Sequence, residues 1–235
     1  MRNYVLTATA FFAGAALSFA ASGTISGSAH DLSGTTYNPT GTTDQICVFC
    51  HTPHNAERNI PLWNRVNSTS PPLYTSPTLS TEAKTATFEM DSISAFCMSC
   101  HDGVTKVGAI KNLPTNIAGT DTVNPTPFGN SISPNYAAIS NDGQSLKNDH
   151  PVGFSYSVAL IQDNAESGTG GLHTISEVKT AFGETGSYQP FYISTGGTDQ
   201  MECASCHAVH QPGTSKNFLR IENDGSALCL ACHNK

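Results

Sequence analysis

All eight cysteines of the chain lie in four copies of the pentapeptide Cys-x-x-Cys-His. Two cysteines three positions apart lie on one side of a helical turn, so both thiols can bond to the two vinyl groups along one edge of a porphyrin. The histidine that follows can then bind the porphyrin iron. This spacing is the attachment signature of c-type haem, and it predicts four covalently held haems. The predicted attachment residues are Cys47, Cys50, Cys97, Cys100, Cys203, Cys206, Cys229 and Cys232, and the predicted proximal ligands are His51, His101, His207 and His233.

Two other uses of paired cysteines compete with haem attachment. Paired Cys-x-x-Cys elements can form a four-cysteine zinc site, but that function leaves the histidine after every second cysteine unexplained. A disulfide with a two-residue spacer makes a tight, reducible ring, which suits redox exchange better than the stapling of a chain. Haem attachment accounts for the cysteines and the histidines together.

Five histidines remain for the four distal iron positions, which favours a second histidine on every iron. The predicted distal ligands are His30, His54, His150 and His210, and His173 is the spare, with its replacement of one of them left open. A methionine ligand would raise the reduction potential, but Met98 and Met201 lie too close to haem motifs to reach the far face, and Met90 is a further competitor. We expect acidic neighbours, Asp31 and Asp149, and the turn or proline beside them to orient His30 and His150.

Two of these histidines, His54 and His210, follow a proximal ligand by three residues. At that spacing they point the same general way as the proximal ligand. They cannot cross to the opposite face of the same haem, so each must serve a different iron. This predicts close contact between haems, and the short step from Cys203 to Cys229 predicts the same for the third and fourth.

The first residues have the pattern of an export signal. Arg2 precedes an apolar run, and Ser18 and Ala20 are the small residues that a signal peptidase reads. We predict a signal peptide over residues 1–20 and a single tetrahaem domain over residues 21–235. No later stretch has the length of a membrane span, and export agrees with haem attachment outside the cytoplasm.

The composition does not favour an ordinary hydrophobic core. Only 38% of the residues are hydrophobic, and the chain has 20 glycines and 13 prolines. We expect a mostly irregular coil with short α-helices and few strands, wrapped around the haems. The net charge of −7 leaves no basic stripe for nucleic acid. Arg58, Arg65 and Lys147 are candidate partners of the haem propionates, or else solvated surface charges.

The order of these motifs and the blocks between them resembles a known family, the extracellular tetrahaem c-type cytochromes of the OmcE type, which polymerise into conductive filaments. The shared blocks are distributed over nearly the whole length of the mature chain. They are His30–Gly34, Cys47–His54, Pro61–Arg65, Phe96–Gly103, Asp149–Phe154 and the two closing haem motifs. Between them, segments 104–147 and 155–200 carry no matching motif. The resemblance implies a head-to-tail homopolymer with a continuous stack of haems, in which His54 ligates an iron of the next subunit.

Three functions follow from these observations. The first is electron transfer, without enzymatic activity, in a cell-surface filament that takes electrons from redox partner cytochromes to external acceptors. The second is a monomeric periplasmic electron shuttle with the same haems. The third is a multihaem reductase, which would need an iron with an open coordination position, and the surplus of histidines speaks against one.

If the haems replace the missing core, the chain cannot fold without them. We expect the double variant Cys97→Ala, Cys100→Ala to be degraded in the cell, and not to accumulate as a three-haem protein. Haem staining and limited proteolysis of the exported fraction would measure this. Recovery of a compact, protease-resistant three-haem protein would show that the peptide core is larger than the composition indicates.

Overall fold

The computed structural model describes residues 25–34, 43–57, 62–66, 74, 76–89, 91–103, 105–113, 128–131, 146, 149–167, 171–183, 190–195, 197–210 and 218–234. The predicted signal peptide over residues 1–20 lies outside this part of the chain. Three residues named above, Arg58, Met90 and Lys147, also lie outside it.

Short helices and a few strands occur within a largely irregular chain, which confirms the predicted fold class. The α-helices are α1 (Thr81–Lys84), α2 (Ile93–His101), α3 (Tyr156–Ser167), α4 (Ile175–Ala181), α5 (Cys203–Cys206) and α6 (Ala227–Leu230). The strands are β1 (Lys106–Gly108), β2 (Phe128–Ser131), β3 (Phe154–Ser155), β4 (Tyr192–Ser194) and β5 (Gly197–Met201). Short 3-10 helices cover Leu32–Gly34, Ile46–Phe49 and Asp224–Ser226. None of the described helices has the length and apolar character required to cross a membrane.

The strands form two small antiparallel sheets. β1 pairs with β2, and β5 lies between β3 and β4. In the larger sheet Phe154 is opposite Met201, and Tyr192 is opposite Gln200. Since β5 ends two residues before Cys203, this sheet fixes where the third haem motif begins.

The longest helix, α3, and its neighbour α4 lie in the segment for which the sequence offered no motif. The N-terminal amide of Ser157 in α3 donates to Asp199 of β5 (2.7 Å). α4 begins with a capping box, in which Thr174 and Glu177 exchange hydrogen bonds. That Thr-x-x-Glu pattern is a recognised helix start, so α4 could have been predicted from the sequence.

The buried apolar side chains of the described residues form four separate clusters. The largest joins α1, α3, α4 and the three-stranded sheet, and consists of Ala83, Phe154, Tyr156, Ala159, Val178, Phe191 and Met201. The others have two to five buried members each. This division agrees with the low apolar content of the sequence, because each cluster is too small to stabilise a domain of this length alone.

A buried carboxylate joins the helices of the second and third motifs. Glu202, 1% exposed, accepts hydrogen bonds from the Ser92 hydroxyl (2.8 Å) and from the amide (3.1 Å) and hydroxyl of Ser94. The Ser94 hydroxyl also lies 2.9 Å from the Cys203 amide, which donates to it. Burial raises the pKa of Glu202, and the hydrogen bonds from Ser94 and Ser92 oppose that rise.

Removal of this carboxylate should destabilise the protein. We expect Glu202→Ala to lower the free energy of unfolding by about 3 kcal/mol, because three donors lose a charged acceptor inside the protein. Denaturant unfolding of the haem-loaded protein would measure it. Glu57→Ala, which removes a half-exposed partner of Lys111, is the control and should cost less than about 1 kcal/mol. Equal effects of the two variants would contradict the assigned role.

The same carboxylate predicts a pH dependence. Its pKa is raised in the folded state above the ordinary value of 4.5, so the folded protein holds this proton to higher pH than the unfolded chain does. The unfolding free energy should therefore fall as pH rises above about 4.5, up to the raised pKa. Glu202→Gln should remove this part of the pH dependence, and an unchanged pH profile would contradict it.

Candidate haem sites

Each of the four motifs lies on one turn of helix. The first is on the 3-10 helix Ile46–Phe49, the second ends α2, the third forms α5 and the fourth lies at α6. In three of them the motif histidine donates its backbone N–H to the carbonyl of the first cysteine, at 2.8 Å for His51, 3.1 Å for His207 and 2.9 Å for His233. The second motif is helical throughout. This turn brings both thiols to one side, and all eight cysteines are free thiols.

The first motif is closed by a backbone clip, a short antiparallel bridge to a segment further along the chain. His51 faces Trp63 in the bridge, and the Asn64 amide donates to the Cys50 carbonyl (2.9 Å). The Asn64 side chain also donates to the Val48 carbonyl (2.7 Å), inside the motif. The clip therefore fixes the loop that carries both cysteines.

The third motif has the same clip in the same register. His207 faces Leu219, the Arg220 amide donates to the Cys206 carbonyl (2.9 Å), and Arg220 Nε donates to the Ala204 carbonyl (2.7 Å). Each pair of bonded residues has the same separation in sequence as the equivalent pair in the first clip. The two stretches are thus copies of one structural unit.

An unfavourable backbone conformation recurs in both copies. The residue before the bridge partner is Leu62 in the first clip, with φ of 62°, and Phe218 in the third, with φ of 57°. Residues other than glycine seldom adopt positive φ. Its recurrence at equivalent positions strengthens the conclusion that the two units share one fold.

A related clip closes the fourth motif from the preceding part of the chain. Leu172 faces His233, the His173 amide donates to the Cys232 carbonyl (2.8 Å), and the Asn234 amide donates to the Gly171 carbonyl (2.9 Å). The backbone of His173 thus takes the place that Asn64 has in the first clip. Its ring Nδ1 lies 3.7 Å from a carboxylate oxygen of Glu177.

Three motif histidines each face an imidazole from a distant part of the chain. The ring centroids are 6.0 Å apart for His51 and His210, and 6.0 Å apart for His101 and His30. For the fourth motif, His233 and His150 are 6.3 Å apart. Two imidazoles on opposite sides of one metal ion, each about 2 Å from it, place their centroids roughly 6 Å apart. The three separations fit an iron between each pair.

Other observations agree with this fit. His30 Nδ1 and Trp63 Nε1 are buried without a hydrogen-bond partner, and such atoms in native proteins call for an explanation. A bound haem would supply a metal ion and propionate oxygens as partners, and Trp63 packs edge-on against His51 (5.6 Å). Within the described residues no three His, Cys, Asp or Glu side chains converge as a metal site.

Of the two supports expected for His150, the structure shows the neighbouring proline and not the acidic residue. Its Nδ1 lies 2.9 Å from the Pro151 carbonyl, which can only accept, so Nδ1 carries the proton and Nε2 is left to bind metal. The predicted acidic support is wrong for His30 too. The Asp31 carboxylate accepts hydrogen bonds from the hydroxyl of Ser33 (2.6 Å) and the amide of Gly27 (2.8 Å).

Burial keeps His30 neutral, which is the form that binds metal. Burial is the main cause that lowers the pKa of His30 to about 4, and the nearby imidazoles of His101, His207 and His210 contribute to the same shift. Burial also lowers the pKa of His210, with His51 as the second cause. The crowding of imidazoles around His30 and His51 places the first three motifs close together.

Contacts between cysteines give the same map of neighbouring motifs. The Cys97 thiol is hydrogen-bonded to the Cys203 thiol, which raises the pKa of Cys97 and lowers that of Cys203. Burial raises the pKa of Cys232 to about 12, and the next cause is Cys206 of the third motif. The second motif therefore touches the third, and the fourth lies near the third.

The other residues singled out from the sequence have distinct positions. His54 is exposed, and no described ring lies against it. The competitors Met98 and Met201 are 2% and 4% exposed and pack in apolar clusters. Arg65 is fully buried, so its interpretation as a solvated surface charge is wrong. Sequence reasoning missed the repeated clip, although the equal spacing from each motif to Asn64 and Arg220 is visible in the sequence.

Comparison with known proteins agrees with this geometry over the end of the chain. Residues 197–235 match the family model described as the doubled CXXCH motif. The match covers the third and fourth motifs and points to a c-type cytochrome with covalently bound haem and an electron-transfer role. No curated protein matches the sequence.

The imidazole pairs predict the effect of single substitutions. His30→Ala should leave the number of covalent haems unchanged and convert one haem per chain from low-spin to high-spin, because the iron above His101 loses its second ligand. Electron paramagnetic resonance together with a pyridine haemochrome assay would measure both quantities. His173→Ala is the control and should leave every iron low-spin. A fully low-spin His30→Ala protein would contradict the pairing.

Proposed function

We propose that the protein transfers electrons through four c-type haems, each held between two histidines. The observation that carries this proposal is the set of three imidazole pairs, whose ring centroids lie 6.0–6.3 Å apart. Each pair joins a motif histidine to a distant segment of the chain. In the proposal the remaining iron, at the third motif, is held by His207 and by His54 of another copy of the chain.

The bound haem supplies one-electron cycling of its iron, and the protein sets ligation, spacing and insulation. Histidines on both faces leave no coordination position for a substrate, which favours electron transfer over the reduction of a small oxyanion. The hydrogen bond between Cys97 and Cys203, and the proximity of His30 to His101 and His207, support a close spacing of the haems at the second and third motifs.

We propose further that the chains assemble head to tail into a filament. The repeated unit supports this. In the third motif's unit, His210 lies opposite His51, the proximal ligand of the first unit. His54 holds the equivalent position in the first unit. By analogy with His210, it would bind the iron of another unit, and we assign that iron to the third motif of a neighbouring chain. The exposed side chain of His54 is accessible for such a contact.

This arrangement fixes both the symmetry of the assembly and the iron that His54 serves. A contact between two different surfaces forms a closed ring only if the rotation between subunits adds up to a full turn. Otherwise the subunits extend into a helical filament. His54 would bind the iron held by His207 of the neighbouring subunit. The family resemblance of the blocks His30–Gly34, Cys47–His54 and Pro61–Arg65 also supports a filament, located outside the cell and loaded by partner cytochromes.

The second candidate is a monomeric periplasmic shuttle with the same haems. It is favoured by the histidine count, because His54 and His173 together offer more ligands than a single chain requires. The two candidates differ in whether His54 binds an iron of its own chain or of a neighbour.

Substitution of His54 distinguishes them. His54→Ala should keep four covalent haems but fail to form filaments in negative-stain microscopy, with one haem per chain turning high-spin. Added to intact chains, it should cap filaments at one end, because it still offers the iron but not the ligand. His210→Ala is the matched control, since it should disturb the haem of His51 within its own chain.

The opposite outcomes are equally distinct. Normal filaments from His54→Ala would contradict ligation between subunits. Intact protein that stays monomeric at high concentration, with every iron six-coordinate, would support the shuttle instead.

A further inference from the structure

Arg65 is a buried cation held only by neutral groups. Its side chain is fully buried. Its Nε and Nη2 donate to the Ser99 carbonyl (3.3 and 2.8 Å), and Nε also lies 3.2 Å from the Ser99 hydroxyl. Nη1 and Nη2 donate to the carbonyls of Val107 and Lys106. The guanidinium is thus fixed in one place by hydrogen bonds, and its partners among the described residues are all neutral.

A buried arginine without an acid beside it is unusual. Charged side chains are rarely buried unless paired, because removal of a charge from water is costly. In the described part of the chain the ion pairs are Lys111 with Glu57 and His173 with Glu177, and neither includes Arg65. The guanidinium cannot lose its charge in a protein. The site therefore carries a permanent positive charge in a medium of low dielectric constant.

This charge lies between the first and second haem motifs. Ser99, its main partner, stands between the two cysteines of the second motif. The neighbouring residue, Asn64, clips the first motif. Val107, whose carbonyl accepts from Nη1, packs against Phe49 of the first motif. The guanidinium thus lies beside both motifs.

We infer that Arg65 sets the reduction potentials of the haems bound at the first and second motifs and holds both above the values they would have without its charge. In each reduction a ferric haem takes one electron from a partner cytochrome or an electrode and becomes ferrous, with no proton or other atom transferred. The haem gains one negative charge, which the fixed cation stabilises. The inference rests on covalent haem at these two motifs and not on filament formation.

The charge gives the chain of haems an electrical asymmetry. Near the third motif the cation is Arg220, which holds the position of Asn64 in the clip and is only half-buried, so solvent screens its charge more strongly. Arg65 therefore biases an electron toward the first and second haems.

Voltammetry of the haem-loaded protein tests this. Arg65→Gln should lower two of the four midpoint potentials, so that the ferrous-to-ferric ratio of those haems at a fixed potential falls about tenfold, which is about 59 mV for a one-electron couple. Arg65→Lys, which keeps the charge, should stay within about threefold of wild type, about half that shift on the same scale. Val66→Ala changes an exposed, uncharged neighbour in the same segment and should leave all four potentials in place.

A second pair of variants keeps Arg65 in case its replacement prevents folding. Ser99→Asp places a carboxylate against the guanidinium and should lower the same two potentials, whereas Ser99→Ala should not. Equal shifts in the Gln and Lys variants, equal shifts of all four haems, or no shift in Arg65→Gln and Ser99→Asp would overturn the inference. Haem counts on the same samples show whether all haems are still attached. If wild-type protein carries no covalent haem, the proposed cytochrome itself is contradicted, and not only the role of Arg65.

Discussion

The structure depends on histidine pairs that join distant parts of the chain. The described apolar residues form four small clusters, and these alone cannot offset the conformational entropy of a chain rich in glycine and proline. In the proposed sites each iron ties a motif to a segment tens of residues away, as His150 is tied to His233. Together with the thioether bonds, these cross-links take the place of a continuous hydrophobic core.

The repeated clip explains how one arrangement can serve both folding and assembly. The first and third motifs are bridged in the same register, and in both the residue before the bridge partner has a positive φ. Within the chain, the second histidine of one unit, His210, lies opposite the proximal histidine of the other. The filament proposal extends this internal relation from unit to unit across the chain boundary.

The sequence predicted the chemistry better than the spatial arrangement. Motif spacing and histidine counts predicted the haem attachment residues and the set of distal candidates, and composition predicted the irregular fold. The pairing of His150 with His233 could not be predicted, because it depends on α3 and the three-stranded sheet that lie between them. The burial of Arg65 was missed because its carbonyl partners, on Ser99, Lys106 and Val107, are remote in sequence. The orientation of His150 was assigned to Asp149 and the neighbouring proline together, and the structure shows a contact to Pro151 through its carbonyl, which the sequence does not single out.

The central claim is that every iron is held between two imidazoles. Near-infrared magnetic circular dichroism of the oxidised, assembled protein tests it most directly, because the ligand-to-iron bands report the axial ligands of each low-spin haem. The account predicts four bis-imidazole irons per chain and no others. A high-spin iron, a methionine-ligated iron or fewer than four haems per chain in the assembled protein would contradict it.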